Sequence, residues 1–204
     1  MDRFNEPTEL QFSFSKLYPE LVLASSSPNR RGLLEAGGSK VSVFSPDIDE
    51  ERVGMDPVSA MLSIAEAKLQ AYLDSSSFNP NLPAIAADTL VMIDNNLIGK
   101  PSSRENAKEI LKTLSGRVQK VYTATGLYLP ECKSEVFIDS ADVVFKTLSD
   151  ERIEEYLDTE EWIGAAGGYR LQKTGYLLVD RIDGDWTTVV GLPVQMLIKK
   201  RLAK

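Results

Sequence analysis

Ten residues near the middle of the chain, Ala84–Ile93, are apolar except for Asp88 and Thr89. Such a run predicts a buried strand, and the polar residues 94–96 that follow predict a turn that leads the chain back as a hairpin. A carboxylate inside this strand is costly to bury unless it is paired, bound to a metal or placed at the strand end. Asp88 is therefore a candidate functional residue. The alternative is that it marks a bulge or a strand end and caps nearby N–H groups.

Helices and strands are mixed along the rest of the chain. A strand at residues 21–24 leads through a serine-rich loop into a helix at Pro28–Ala36, and apolar spacing predicts a long amphipathic helix from Pro57. The other predicted elements are strands at 41–44, 118–129, 135–146, 176–182 and 187–190, and helices capped by Ser102 and Ser149 or starting at Pro193. Hairpins together with crossovers predict an α/β protein with a mixed sheet flanked by helices.

The length of 204 residues favours one domain, with either one core or two lobes that share a sheet. Residues 1–19 lack periodicity and are interpreted as an N-terminal extension, which leaves residues 20–204 as the domain. No window approaches the roughly 18 apolar residues of a membrane span, and the first residues lack the pattern of a secretory signal. We therefore expect a soluble, cytoplasmic protein with no membrane partner.

Composition restricts the chemistry. The absence of histidine excludes Ser-His and Cys-His triads and histidine-rich zinc sites. Cys132 is the single cysteine, so an internal disulfide and a cysteine-rich zinc site are excluded as well. A net charge of −7 argues against a nucleic-acid partner. Catalysis is left to carboxylates, lysine, arginine, hydroxyls and oxygen-bound metals.

The loop at residues 25–27 brings serine hydroxyls and backbone N–H groups to the start of a helix, where the helix dipole favours an anion. Arg30 and Arg31 fall in the first turn, where the same dipole disfavours cations. A bound phosphate would resolve this conflict. The alternative is that Ser27 only caps the helix and that both arginines are solvated.

Two further side chains could join Asp88. Glu50, in the acidic run 47–51, could be a second oxygen ligand for magnesium, although most acidic runs are solvated loops. Lys68 lies at the edge of the apolar stripe of its helix. Its ammonium could therefore reach a site, although extension into solvent is the default for lysine.

Lys100 and Gln172 are candidates whose placement the sequence leaves open. A three-residue hairpin loop would put Lys100 on the face of Asp88, whereas a two-residue loop would turn it away. Gln172 ends a glycine-rich segment that starts at Gly164, and its amide can read the edge of a base. The alternative for that segment is a simple turn between a helix and a strand.

These segments together resemble the Maf nucleotide pyrophosphatases from residue 21 to the final helix. The matching stretches, in family order and spacing, are LASSSPNRRGLL, DIDEER, AEAK, AADTLV, IGKP, LSG, AGGYRLQ and VVGLP. The resemblance implies a fold similar to that of inosine triphosphate pyrophosphatases, with two lobes around a central cleft, and a homodimer. It also implies metal-dependent hydrolysis, with Mg²⁺ or Mn²⁺, of a nucleoside triphosphate to a monophosphate and pyrophosphate.

The resemblance assigns roles to residues by their positions in the matching motifs. Asp88 would be the general base, and Glu50 and Asp88 would hold the metal. The implied catalytic residues are Glu50, Lys68, Asp88 and Lys100, and the implied substrate-binding residues are Ser25, Asn29, Arg30, Thr89 and Gln172. These residue types suit the implied roles, because cations neutralise polyphosphate charge and a carboxylate can activate water.

The base preference depends on a few positions. Thr89 and Gln172 fit the branch similar to dTTP and UTP pyrophosphatases, whereas the branch acting on 7-methyl-GTP carries a Gln or Glu after the base Asp. Asn29 fits neither branch, and Ala165 stands where the pyrimidine branch usually has Lys. We therefore favour dTTP and UTP as substrates. The alternatives are a Maf-like pyrophosphatase for modified or noncanonical nucleotides, and a nucleotide-binding regulator of septum formation.

Overall fold

The computed structural model describes residues 14–51, 54–130 and 132–203. Its strands are β1 (Glu20–Ala24), β2 (Lys40–Phe44), β3 (Ala84–Ile93), β4 (Asn96–Ile98), β5 (Val118–Tyr128), β6 (Glu135–Phe145) and β7 (Val179–Asp183). Its helices are α1 (Pro28–Ala36), α2 (Pro57–Leu73), α3 (Arg104–Leu114), α4 (Asp150–Leu157), α5 (Trp186–Val190) and α6 (Val194–Leu202), with short 3-10 helices at Ala166–Gly168 and Thr174–Leu178.

The strands form one sheet in the order β2-β1-β3-β5-β6-β7, and β4 pairs with β3. β1 is parallel to both β2 and β3, whereas the β3–β4 and β6–β7 pairs are antiparallel. The predicted α/β fold with a mixed sheet and flanking helices is thus confirmed. In the part of the chain that the structure describes, no helix is long and apolar enough to cross a membrane.

The chain divides into two compact units. The first unit contains residues up to Thr89, Thr123–Asp139 and the residues from Gly191 onward; the second contains Leu90–Tyr122 and Ser140–Val190. The expected single domain and its central cleft stay predictions. Residues 1–13 of the expected N-terminal extension lie outside the described residues. Phe14 and Tyr18, from the same stretch, are buried in the first unit, where the Tyr18 hydroxyl donates to the Leu197 carbonyl at 2.9 Å.

The core of the first unit lies between α2 and the sheet. It is built from strand and helix side chains, namely Val22, Ala24, Leu69, Tyr72, Ala84 and Ala86, with Phe44, Leu73, Phe78, Leu82 and Tyr128 packed against them. Gly126 lets α2 lie close to β5, because a Cβ at this glycine would be 3.1 Å from both the Ala65 carbonyl oxygen and the Leu69 Cβ.

The second unit carries α3 and α4, which are joined by ion pairs. Arg104 pairs with Glu154 and Asp158, each at 2.7 Å, and Lys108 pairs with Glu154 at 2.5 Å. Burial raises the pKa of the Tyr169 phenol, and this hydroxyl accepts a hydrogen bond from Gln119. The ring of Tyr169 also packs edge-on against Phe145, with centroids 5.0 Å apart.

The strand predicted at 187–190 is wrong, because these residues belong to helix α5. Thr187, Thr188 and Val190 favour strands by propensity. Asp185 overrides this preference, since its carboxylate accepts from the Thr187 N–H at 2.9 Å and its carbonyl from the Thr188 N–H at 3.0 Å, which starts a helical turn.

Two predicted boundaries are also wrong. β7 begins at Val179 rather than residue 176, because the chain turns tightly at Gly175, where a Cβ would lie 2.5 Å from the Arg170 carbonyl oxygen. Helix α3 is capped by Ser103 rather than Ser102, since the Ser103 hydroxyl accepts from the Asn106 N–H at 3.1 Å. The cap predicted at Ser149 is confirmed. Ser27 also caps its helix, which was expected only in the alternative interpretation of the serine loop.

Candidate active site

Strand alternation places Asp88 on the α2 side of the sheet. Ala84 and Ala86 belong to the core against α2, and successive side chains of a strand point to opposite faces. Asp88 follows them on the same face, and Lys68 of α2 donates from Nζ to its Oδ1 at 2.9 Å. Among the described residues, this carboxylate accepts its hydrogen bond from Lys68 rather than from a backbone N–H group. It is ion-paired, as a carboxylate in an apolar strand requires.

Lys68 also pairs with Glu50, whose Oε1 lies 2.8 Å from the same ammonium nitrogen. The Lys68 side chain is 9% exposed, and those of Asp88 and Glu50 are 22% and 58% exposed. The alternative that Lys68 extends into solvent is thus not what the structure shows. The predicted group Glu50, Lys68 and Asp88 comes together around one buried ammonium.

Arg30 is buried at the start of α1 and is hydrogen-bonded through all three guanidinium nitrogens. Nε donates to the Gly191 carbonyl at 2.9 Å, Nη1 to the Ser25 hydroxyl at 2.9 Å and Nη2 to the Thr89 hydroxyl at 3.1 Å. Its neighbour Arg31 behaves differently, because it is exposed and pairs with Glu35 at 2.7 Å. The alternative that both arginines are solvated holds only for Arg31.

The direct partners of the Arg30 guanidinium are neutral. They are two hydroxyls and a carbonyl, and within the described residues no carboxylate bonds directly to this guanidinium. Burial lowers the pKa of Arg30 below its usual value, while the negative charges of Asp88 and Glu50 act in the opposite direction. A buried cation without a bonded counter-ion is costly, so this position is suited to an anionic ligand.

Thr89 supports Arg30 from the opposite face of β3 to Asp88. Its hydroxyl lies 2.9 Å from the Thr123 hydroxyl of β5, in addition to accepting from Arg30. Gly191 closes the other side at a φ of +114°, and a Cβ there would lie 3.2 Å from the Thr89 hydroxyl and 3.3 Å from Arg30 Nε. The structure thus gives Thr89 a contact with Arg30, and its predicted contact with substrate stays a prediction.

Lys100 and Gln172 belong to the second unit, and their part in the site stays a prediction. The hairpin has the two-residue loop, with Asp94 and Asn95 at positive φ, and β4 ends at Ile98, before Lys100. Its register therefore does not carry Lys100 onto the face of Asp88. The Gln172 amide nitrogen is shielded from solvent and has no hydrogen-bond partner among the described residues. Asn29 is half-buried in the first turn of α1.

The family model of the Maf-like proteins matches residues 20–201, nearly the whole chain. This chain belongs to the Maf-like protein family. The predicted membership is therefore confirmed, and the match includes every candidate site residue.

Two relatives of this chain are both named dTTP/UTP pyrophosphatase. A dTTP/UTP pyrophosphatase of Caldanaerobacter subterraneus is 39% identical over 179 residues, which cover 87% of this chain and 86% of the relative. A dTTP/UTP pyrophosphatase of Bacillus velezensis is 40% identical over 175 residues, with 85% and 90% coverage. Among solved structures, a dITP/XTP pyrophosphatase from Mycobacterium abscessus is 18% identical, with 63% and 75% coverage and a TM-score of 0.38. A likeness this remote adds nothing to the family assignment.

The carboxylates of this Maf-like site fit a metal that arrives with a polyphosphate. In residues 14–51, 54–130 and 132–203, no group of three or more His, Cys, Asp or Glu side chains is placed to hold a metal ion. Glu50 and Asp88 supply two carboxylates around one point, the Lys68 ammonium. Magnesium characteristically takes one or two carboxylates and completes its shell with substrate phosphates and water. The two residues therefore fit that mode of binding.

Thr123 and Gly191 were not among the candidates that the sequence suggested. Gly191 lies in the VVGLP motif of the Maf resemblance, so a signal for it was present. Thr123 lies inside β5 in a run of other strand residues, and nothing in its spacing distinguishes it. Only the pairing of β5 with β3 brings its hydroxyl next to Thr89.

Proposed function

We propose that this chain hydrolyses nucleoside triphosphates, with dTTP and UTP favoured, to a nucleoside monophosphate and pyrophosphate. The observation that carries the proposal is the buried Arg30, which has neutral partners and follows the serine loop, in the same unit as the Glu50, Lys68 and Asp88 cluster. Relatives about two fifths identical over most of the chain are named dTTP/UTP pyrophosphatase, which supports the same reaction.

Each residue has a definite task in this reaction. Arg30 and the Ser25 hydroxyl bind phosphate oxygens at the start of α1, where the helix dipole also favours negative charge. Lys68 holds Asp88 Oδ1 at 2.9 Å, and Oδ2 has no partner among the described residues. Asp88 Oδ2 is thus available to accept a proton from the attacking water.

The proposed hydrolysis proceeds without a covalent enzyme intermediate. The water oxygen bonds to the α-phosphorus and loses one proton to Asp88, and the bond from the α-phosphorus to the bridging oxygen breaks. Pyrophosphate leaves with that electron pair. A Mg²⁺ or Mn²⁺ ion held by Glu50 and Asp88 together with the substrate would neutralise polyphosphate charge.

The substrate preference rests on the relatives and on two positions. Thr89 and Gln172 match the pyrimidine branch. The Gln172 amide nitrogen, which has no hydrogen-bond partner among the described residues, supports a contact with a base. Asn29 and Ala165 depart from that branch, which favours modified or noncanonical nucleotides as the second candidate. We further propose a cytoplasmic homodimer that binds neither nucleic acid nor membrane. Light scattering on a size-exclusion column tests the dimer.

The function is tested by incubating the protein with Mg²⁺ or Mn²⁺ and a panel of canonical and modified nucleoside triphosphates. Pyrophosphate, monophosphate and inorganic phosphate are assayed separately. We expect pyrophosphate and monophosphate in equal amounts, fastest from dTTP and UTP. Faster turnover of another base would overturn the preference but keep the reaction. Release of inorganic phosphate and diphosphate would contradict the proposed bond cleavage.

Two variants separate catalysis from binding. Asp88→Asn is expected to abolish turnover while nucleotide binding, measured by calorimetry, persists. Glu35→Gln makes the same chemical change at an exposed carboxylate of the same unit, and it should behave like the parent protein. If Asp88→Asn turned over substrate at the parent rate, Asp88 would not be the general base. Absence of turnover of any triphosphate by the parent protein, with nucleotide binding retained, would instead support the role of a nucleotide-binding regulator.

A further inference from the structure

We propose that Thr123 is a positioning residue, which acts through the Thr89 hydroxyl to hold the Arg30 guanidinium in its phosphate-binding orientation. The inference rests on the proposed function, because there Arg30 is the cation that binds phosphate. Thr123 does not touch substrate in this scheme. It is fully buried, and its hydroxyl meets the hydroxyl of Thr89 at 2.9 Å.

The Arg30 guanidinium has five N–H donors, and three of them donate to groups of the described residues. These three bonds leave from three different nitrogens, so they fix both the position of the guanidinium and its rotation about the side-chain axis. One N–H donor on each terminal nitrogen, Nη1 and Nη2, is left for a ligand. A bidentate phosphate contact depends on this planar geometry, which a freely rotating cation lacks.

Thr89 can hold Arg30 only when its own hydroxyl proton points elsewhere. A hydroxyl has one proton and two lone pairs, and Arg30 Nη2 takes one lone pair at 3.1 Å. The bond to Thr123 engages either the proton or the second lone pair. In both cases a lone pair of the Thr89 oxygen stays directed at Arg30. Without Thr123, the Thr89 hydroxyl would be free to turn its proton toward the cation.

Gly191 also helps to hold the Arg30 guanidinium in place. Its carbonyl accepts from Arg30 Nε at 2.9 Å, and its missing Cβ leaves the space that the Thr89 hydroxyl and the guanidinium occupy. The arginine is thus held between a threonine pair and a glycine backbone. No carboxylate of the described residues bonds to the guanidinium, so its positive charge stays available for an anionic ligand.

The neighbouring Thr125 offers a matched control. It lies two residues further along β5, on the same face as Thr123, and it is equally buried. Its hydroxyl has no hydrogen-bond partner among the described residues. Thr123→Val and Thr125→Val therefore make the same change of shape at two equally buried positions, but only the first removes a partner of Thr89.

The kinetic test measures KM and kcat for dTTP and UTP separately. We expect Thr123→Val to raise KM about three- to ten-fold, the effect of one lost hydrogen bond, with kcat changed less than KM. Thr123→Ser keeps the hydroxyl and should restore the parent KM. Thr125→Val should match the parent. An unchanged KM in Thr123→Val, or an equal rise in Thr125→Val, would overturn the proposal.

A double-mutant cycle tests whether Thr123 acts through Thr89 rather than through any other contact it makes. If it does, Thr89→Val combined with Thr123→Val should have the same KM as Thr89→Val alone, because the second hydroxyl then has nothing left to orient. Additive effects of the two substitutions on KM would contradict the inference that Thr123 acts through Thr89.

A readout independent of turnover separates this inference from the proposed function. Nitrogen-15 NMR follows solvent exchange of the Arg30 Nε–H proton, which donates to Gly191. Exchange should be faster in Thr123→Val than in the parent and in Thr125→Val. Equal exchange rates would overturn the positioning role. A parent protein that hydrolyses no triphosphate would contradict the function, while the exchange rates would still decide the role of Thr123.

Discussion

Replacement of Arg30 by methionine tests whether this buried arginine serves the fold or a ligand. Methionine has a similar length without charge or donors. The substitution removes three hydrogen bonds from a charged donor, each contributing about 1.5–3 kcal/mol. It also removes the desolvation cost of a buried ion, which is several kcal/mol. These opposing contributions nearly cancel, so we expect the free energy of unfolding to change by less than about 2 kcal/mol.

Substrate binding should respond much more strongly than stability. Loss of a buried cation that pairs with a phosphate costs about 3 kcal/mol, which corresponds to about a 10²-fold rise in KM for dTTP. Urea denaturation without nucleotide gives the stability, and the pyrophosphate assay gives KM. The expected pattern is a nearly unchanged stability together with a large loss of affinity.

Arg31→Met provides the matched control for this experiment. Arg31 is adjacent, exposed and paired with Glu35, so its replacement should change both the stability and KM little. Our reasoning would be refuted if Arg30→Met lost more than about 4 kcal/mol of stability while the folded fraction kept the parent KM. Arg30 would then be a structural arginine.

Four further predictions concern the site and the two units. Lys68→Met should lower kcat/KM about 10²-fold, because the cluster loses its buried cation; an unchanged value would remove Lys68 from the mechanism. Chelation by EDTA should stop hydrolysis, and excess Mg²⁺ or Mn²⁺ should restore it, whereas full activity in EDTA would exclude a metal requirement. Gly126→Ala should cost about 1–3 kcal/mol in urea denaturation, since the added Cβ meets Leu69 at 3.1 Å, and a neutral effect would show that α2 can shift. Tyr169→Phe should cost about 1–3 kcal/mol, because the Gln119 amide loses its acceptor; stability equal to the parent would contradict that hydrogen bond.

Local patterns were sufficient to predict most elements of the fold. The helix at Pro28–Ala36 has a serine cap, a proline in its first turn and glycine at its end, and all three act within a few residues of one another. The segment 187–190 shows where this reasoning fails. Its β-branched residues favour a strand, but Asp185 accepts two N–H groups and starts a helix instead. Propensity is a weak preference that a few specific hydrogen bonds reverse.

In the candidate site, too, local sequence was sufficient to predict one part and not another. Asp88 was evident from the sequence because a carboxylate in an apolar strand requires a partner, and the chemistry of that requirement is local. Which residue would be the partner was not evident. Extension into solvent was the default for Lys68, and only the tertiary structure shows its ammonium between Asp88 and Glu50.

The sequence by itself determined the family, the mixed α/β class and the kinds of group available for catalysis, because motifs, periodicity and the absence of histidine can all be read along the chain. The tertiary structure alone decided that Arg30 is buried among neutral partners, that the Gly191 carbonyl accepts from it and that Thr123 contacts Thr89. The contacts of Arg30 join residues 59 and 161 positions apart. No local propensity encodes such distances, because hydrogen bonds between remote segments form only when the packing of the sheet and helices brings their atoms together.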